Sequence, residues 1–97
     1  MADTEASDRR DSLVAVLKRC RDLSGASQDA IYSHTGTAEV VEILNRGIES
    51  LERGEELNRD ELKLLFAPTG ALQETSMDNG WAEEYLRLSE RFDGLIE

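Results

Sequence analysis

The chain has 97 residues, 39% of them hydrophobic, with 21 Asp and Glu against 11 Lys and Arg, a net charge of −10 and a pI near 4.5. That length excludes more than one domain, and that charge repels phosphate backbones and anionic bilayers, which disfavours nucleic-acid and membrane partners. No apolar run approaches the roughly 20 residues that span a bilayer, and a single cysteine, Cys20, excludes an internal disulfide.

The charge is unevenly placed. Residues 1–22 hold five acids and five bases, whereas residues 23–97 hold sixteen acids and six bases. Such a field steers a basic protein partner toward the surface. The opening MADTEASDRRD is polar and lacks the apolar region of a signal peptide. The reading is a soluble cytoplasmic protein with a flexible N-terminal tail over 1–6 and a single helical domain over 7–97.

Ser7 can cap a first helix over about 8–23, with Leu13, Val16, Leu17, Cys20 and Leu23 on one face and Gly25 as its stop. The segment SGASQDAIYSHTGT supports at most a one- or two-turn helix near Ser27 to Tyr32. Thr37 is the expected cap of a helix over 38–53, whose stripe is Val40, Val41, Leu44, Ile48 and Leu51. Gly47 within it suits a close helix crossing, and Gly54 ends it. Asn58 with Glu61 three residues on resembles a capping box before Leu62, Leu65 and Phe66. Pro68 stops that short helix.

The stretch 67–79 reads as an ordered, turn-rich lead-in pinned by Leu72. Asp78 or Asn79 then caps a last helix over about 80–95, carrying Trp81, Tyr85, Leu88, Phe92, Leu95 and Ile96 on one face. Nothing alternates at period two for long enough to make a sheet. The fold class is therefore all-α, a small bundle of four to five helices. The helices at 38–53 and 80–95 are long enough to form its antiparallel backbone, with the first helix across them.

Candidate chemistry is sparse. His34 has Ser33 and Asp29 nearby in sequence but no nucleophile elbow. Cys20 between Arg19 and Arg21 invites comparison with an activated thiolate, yet it shares the register of Leu13, Val16 and Leu17, which points to a buried structural cysteine. One His and one Cys do not make a metal site without several carboxylates. The Glu74–Gly80 segment lacks the twelfth-position acid of a calcium loop. No phosphate-binding glycine loop is present. These readings give no catalytic residue, no cofactor and no metal, hence a non-enzyme.

The acids group instead. Glu49, Glu52, Glu55, Glu56, Asp60 and Glu61 fall within thirteen residues that contain only two bases. They are the expected long-range attractors of a basic partner, and Trp81 or Tyr32 is the expected desolvated anchor.

The run LFAPTGALQETSMDNGW resembles segments of small bacterial proteins. In size, acidity and helical class the chain is similar to the immunity proteins of bacterial polymorphic-toxin and contact-dependent systems. That resemblance implies a cytoplasmic inhibitor that covers the active site of a basic toxin enzyme, commonly a nuclease. The chain departs from the nuclease-colicin immunity proteins, because Tyr32 and Tyr85 are far apart and no tyrosine-pair helix exists; no binding residue is carried over. Two other readings share the same features. One is a self-associating structural or adaptor protein, a homodimer through Trp81, Tyr85, Leu88 and Phe92. The other is an acidic DNA mimic whose carboxylates imitate phosphates.

Overall fold

The computed structural model describes residues 2–28, 36–68 and 70–96. Over these residues it is all-helical, with five helices in the order α1 (Ala2–Gly25), α2 (Thr37–Arg53), α3 (Arg59–Leu65), α4 (Ala71–Asn79) and α5 (Ala82–Ile96). Among the described residues there is no strand. The weak helix expected near Ser27 to Tyr32 falls largely on residues 29–35, outside the described residues, as do Tyr32 and His34.

Helix α1 is the spine, and this corrects the expected arrangement. Arg9 contacts Gly94 and Arg19 contacts Glu84, so α5 runs antiparallel to α1. Arg21 contacts Asn45, and Leu17 lies against Gly47, so α2 runs antiparallel to α1 as well. The two long helices once expected to pair with each other are instead parallel, each packed on α1. The physical reason lies in the apolar face of α1. Leu13, Val16, Leu17 and Cys20 are all buried, and so is Ser24 one turn further on, which gives a face wide enough to contact both neighbours. In α2 the buried set is Val40, Ile43, Leu44, Gly47 and Ile48. Ile43 joins the expected stripe, while Val41 and Leu51 are only half-buried. Gly47 marks the crossing: a Cβ there would stand 3.3 Å from the side chains of both Leu17 and Leu62.

The helix ends follow from local chemistry, with some exchanges of role. Gly36, not Thr37, occupies the cap position of α2 in extended backbone. Gly25 is the last residue of α1 rather than a left-handed stop. Gly54 and Gly80 are the left-handed residues, at φ 70° and 82°. After each, the next amide reaches back five residues, Glu55 N to Ser50 O at 2.8 Å and Trp81 N to Ser76 O at 3.0 Å. This pattern satisfies the exposed carbonyls at a helix C-terminus. At α3 the Asn58 side chain accepts from the Glu61 amide as expected, while the Glu61 carboxylate turns to Arg46 at 3.0 Å.

The larger correction is α4. The stretch read as a turn-rich lead-in is a nine-residue helix, and Asp78 and Asn79 belong to it instead of capping the next one. Its first residues, Ala71 to Glu74, are good helix formers. Leu72, Thr75 and Ser76 are buried, so tertiary packing supplies what a stretch with weak periodicity does not. Gly80 then ends it and lets the chain reverse, and Trp81 O accepts the Tyr85 amide at 2.9 Å to start α5.

An aromatic cluster closes the core between the end of α3 and α5. Phe66 and Phe92 stack with ring centroids 3.9 Å apart, and Tyr85 stacks on Phe66 at 6.3 Å while meeting Trp81 edge-on. The Tyr85 hydroxyl donates to the Phe66 carbonyl at 3.2 Å. Burial pushes the Tyr85 phenol above its ordinary value.

One polar pair ties α5 to α1. Glu84 accepts two hydrogen bonds from Arg19, from Nε at 2.5 Å and Nη2 at 2.9 Å. The fork geometry fits a guanidinium to a carboxylate. It holds the Glu84 carboxyl below the ordinary carboxylate range. A carboxylate with a depressed folded value stabilises the fold above its unfolded value and loses that contribution as pH falls through the folded one. Arg19→Gln should therefore return Glu84 to the ordinary range, read by side-chain NMR titration; an unchanged Glu84 titration would show that the pair does not hold in solution.

Candidate functional site

The six acids converge at one end of the bundle. Glu49 and Glu52 lie on the outer face of α2, Glu55 and Glu56 in its connection to α3, and Asp60 and Glu61 in the first turn of α3. All are exposed except Glu61, which is half-buried. A groove of about 460 Å³ separates α2 from α3, floored by Ile43, Gly47 and Leu62 and rimmed by Ser50, Glu56, Asn58 and Glu61, with Arg46 across it.

Ion pairing divides the six. Glu52 pairs with Lys18 at 3.3 Å, Glu55 with Arg53 at 4.0 Å, and Glu61 with Arg46 at 3.0 Å. Glu49, Glu56 and Asp60 make no ion pair among the described residues. These three are exposed carboxylates with no ion pair of their own, with Arg9, Arg10 and Arg59 lining the same surface, and they contribute to the field toward solvent.

The expected anchors do not join this surface. Trp81 is only 9% exposed and packs in the core. Its indole N–H donates to Ser27 Oγ at 2.9 Å, a partner that satisfies the one polar atom of the ring. Ser27 follows the C-terminal end of α1, whereas Glu55 and Glu56 lie beside Arg9 and Arg10 near its start and Glu52 reaches Lys18 at mid-helix. At 1.5 Å per residue, Ser27 stands about 25 Å along α1 from Arg10 and about 13 Å from Lys18. Tyr32 lies outside the described residues. The aromatic stripe Trp81, Tyr85, Leu88 and Phe92 is likewise buried within the molecule, so a homodimer through it would require the core to open.

The titratable groups weighed for chemistry resolve as follows. Cys20 is fully buried, and its thiol is pushed up to about 12, first by loss of solvent and then by the Glu84 charge. It is thus a thiol, not a nucleophilic thiolate, at neutral pH. A maleimide or iodoacetamide should leave Cys20 unmodified in the native protein and label it stoichiometrically in urea; rapid native labelling would contradict its burial. Among the described residues no three His, Cys, Asp or Glu side chains converge as a metal ion needs. None of the described helices is long and apolar enough to cross a membrane.

A cluster that the sequence reading missed joins Ser27, Gln28, Asn79 and Trp81. Asn79 was visible only as a helix cap before Gly80, because its partner is 51 residues distant. No family model, curated protein or solved structure matches the chain.

Proposed function

We propose that this protein is a non-enzymatic binding module that engages a basic partner protein, in the manner of the immunity-type inhibitors of toxin enzymes that it resembles. The observation that carries the reading is the acidic end of the bundle, with Glu49, Glu56 and Asp60 exposed and without internal ion pairs among the described residues. Surface carboxylates that are not neutralised from within leave a long-range field available to a cationic surface. They also lower the affinity for nucleic acid directly. Glu49 and Asp60 stand on helices, which lowers the ordering cost of presenting their charge on binding.

The test is capture on the immobilised chain from its native cell, washed at low and then at high salt and identified by mass spectrometry. The expected result is one stoichiometric basic protein retained at low salt and released at high salt, whose own enzymatic activity falls when the chain is added back. Return of the bait alone, or of a partner without excess basic charge, would overturn the reading. A captured DNA-binding protein displaced by duplex DNA would replace it with the DNA-mimic reading.

A further inference from the structure

The start of the connection between α1 and α2 is fastened to the α4–α5 junction by one side chain that reads backbone. Asn79 Nδ2 donates to the carbonyl of Gln28 at 2.9 Å, and Asn79 Oδ1 accepts the Gln28 amide at 3.0 Å. The same Nδ2 donates to the Thr75 carbonyl at 2.9 Å. The amide thus pairs with both backbone groups of one residue, as an adjacent peptide would. Beside it, Trp81 holds Ser27 Oγ, which in turn donates to the Leu23 carbonyl at 2.7 Å. Residues 29–35, which carry Tyr32 and His34, continue directly from this clamp.

Asn79 is followed by Gly80, while the other two asparagines, Asn45 and Asn58, are each followed by Arg. A glycine has no Cβ to hinder attack by its own backbone nitrogen on the preceding side-chain amide. In the closed fold both reacting groups are engaged. The Gly80 N–H donates to the Ser76 carbonyl, the glycine is held at φ 82°, and every polar atom of the Asn79 amide is committed to Gln28 and Thr75.

We propose that Asn79 is a modification site, a covalent latch whose deamidation releases the Ser27–Gln28 segment irreversibly. The Gly80 backbone nitrogen gives its proton to solvent base and bonds to Asn79 Cγ. The Cγ–Nδ2 bond breaks and the nitrogen departs as ammonia, leaving a cyclic imide. Water then adds to one imide carbonyl and opens the ring to aspartate or to its β-linked isomer, with no change of oxidation state. In the aspartate product two donated hydrogen bonds are lost, and a carboxylate oxygen faces the Gln28 and Thr75 carbonyls instead, which is repulsive. The β-linked product adds a methylene to the backbone immediately before Gly80 and so displaces the left-handed cap. The fold itself sets the rate: reaction proceeds only through the open clamp, so it tracks the fraction of time the clamp is open. The inference does not depend on the proposed partner.

The test has two arms. Wild-type protein is aged at mildly alkaline pH, folded and in urea, and conversion at position 79 is mapped by peptide mass spectrometry. The folded chain should convert at least about tenfold more slowly, and Ser27→Ala, which loosens the clamp from the other side, should speed the folded reaction. In the second arm Asn79→Asp, the direct product, is compared by hydrogen exchange. Its Gln28 amide should lose at least about tenfold protection while α1, α2 and α5 keep theirs. Equal conversion rates folded and unfolded, or an Asn79→Asp chain as protected at Gln28 as wild type, would overturn the proposal. The ageing arm decides alone if Asn79→Asp does not fold.

Discussion

Phe92→Ala should destabilise the fold by about 3–5 kcal/mol, the range for emptying a buried phenylalanine site. Phe92 is 1% exposed and is stacked at 3.9 Å on Phe66, which itself receives the Tyr85 hydroxyl on its carbonyl. The cavity is hard to collapse because its walls come from two elements, the end of α3 at Lys63 and Phe66 and α5 itself at Ile96. A domain of this size holds roughly 5–15 kcal/mol in total, so the variant stands near the limit of folding. With about 4 °C or more per kcal/mol for a chain this short, Tm should fall by at least about 12 °C. Phe92→Leu should recover much of that loss, because it refills most of the volume. A loss below about 1 kcal/mol in the alanine variant, from urea or thermal unfolding, would mean that the aromatic cluster does not close the core.

The second large effect concerns rate rather than stability. Replacing Glu49 and Glu56 by Gln and Asp60 by Asn removes three surface charges that have no internal ion pair among the described residues. Association with the captured basic partner should slow by about tenfold or more at low ionic strength, the lower end of what electrostatic steering supplies. Dissociation should change far less, because rim charges act mainly on encounter. The fold should keep its stability within about 0.5 kcal/mol, as surface substitutions do. The matched control neutralises Glu83, Glu90 and Asp93, exposed on α5. If control and test variants slow association equally, the field belongs to the whole molecule and not to the acidic end.

Much of the fold was legible because the long helices obey one rule. In α2 and α5 the apolar residues recur at helical spacing over four turns, and burial follows that spacing from Val40 to Ile48 and from Tyr85 to Ile96. The Asn58 cap was equally legible, since a cap is a local interaction between neighbours in sequence. What failed was non-local. Helix α4 has Leu72 as its one large apolar side chain in the core, and its other buried residues are Thr75 and Ser76, which no apolar pattern reports. The pairing of α1 with both long helices depends on which faces meet, information that a single periodic stripe does not carry. Gly70 makes the same point: a Cβ there would stand 2.7 Å from the Leu64 carbonyl and 2.8 Å from that of Ala67, a constraint set by a turn that folds back on itself.

The candidate site divides in the same way. The acidic residues were legible as a group because they are neighbours in sequence, and the bundle keeps them together at the α2–α3 end. Their ion pairs were not legible: Lys18, from α1, neutralises Glu52, and Arg46, from α2, neutralises Glu61. Trp81 reads as an anchor on residue type, and what satisfies and buries it is not local. The hydroxyl that satisfies its indole, on Ser27, is 54 residues away.

The most direct test of the central claim is the association rate of the captured partner measured against ionic strength. Over the range in which the Debye length shrinks from about 30 Å to about 3 Å, the account predicts a steep fall in association rate with little change in dissociation. An association rate that does not respond to salt would contradict it, and the acidic surface would then serve solubility alone.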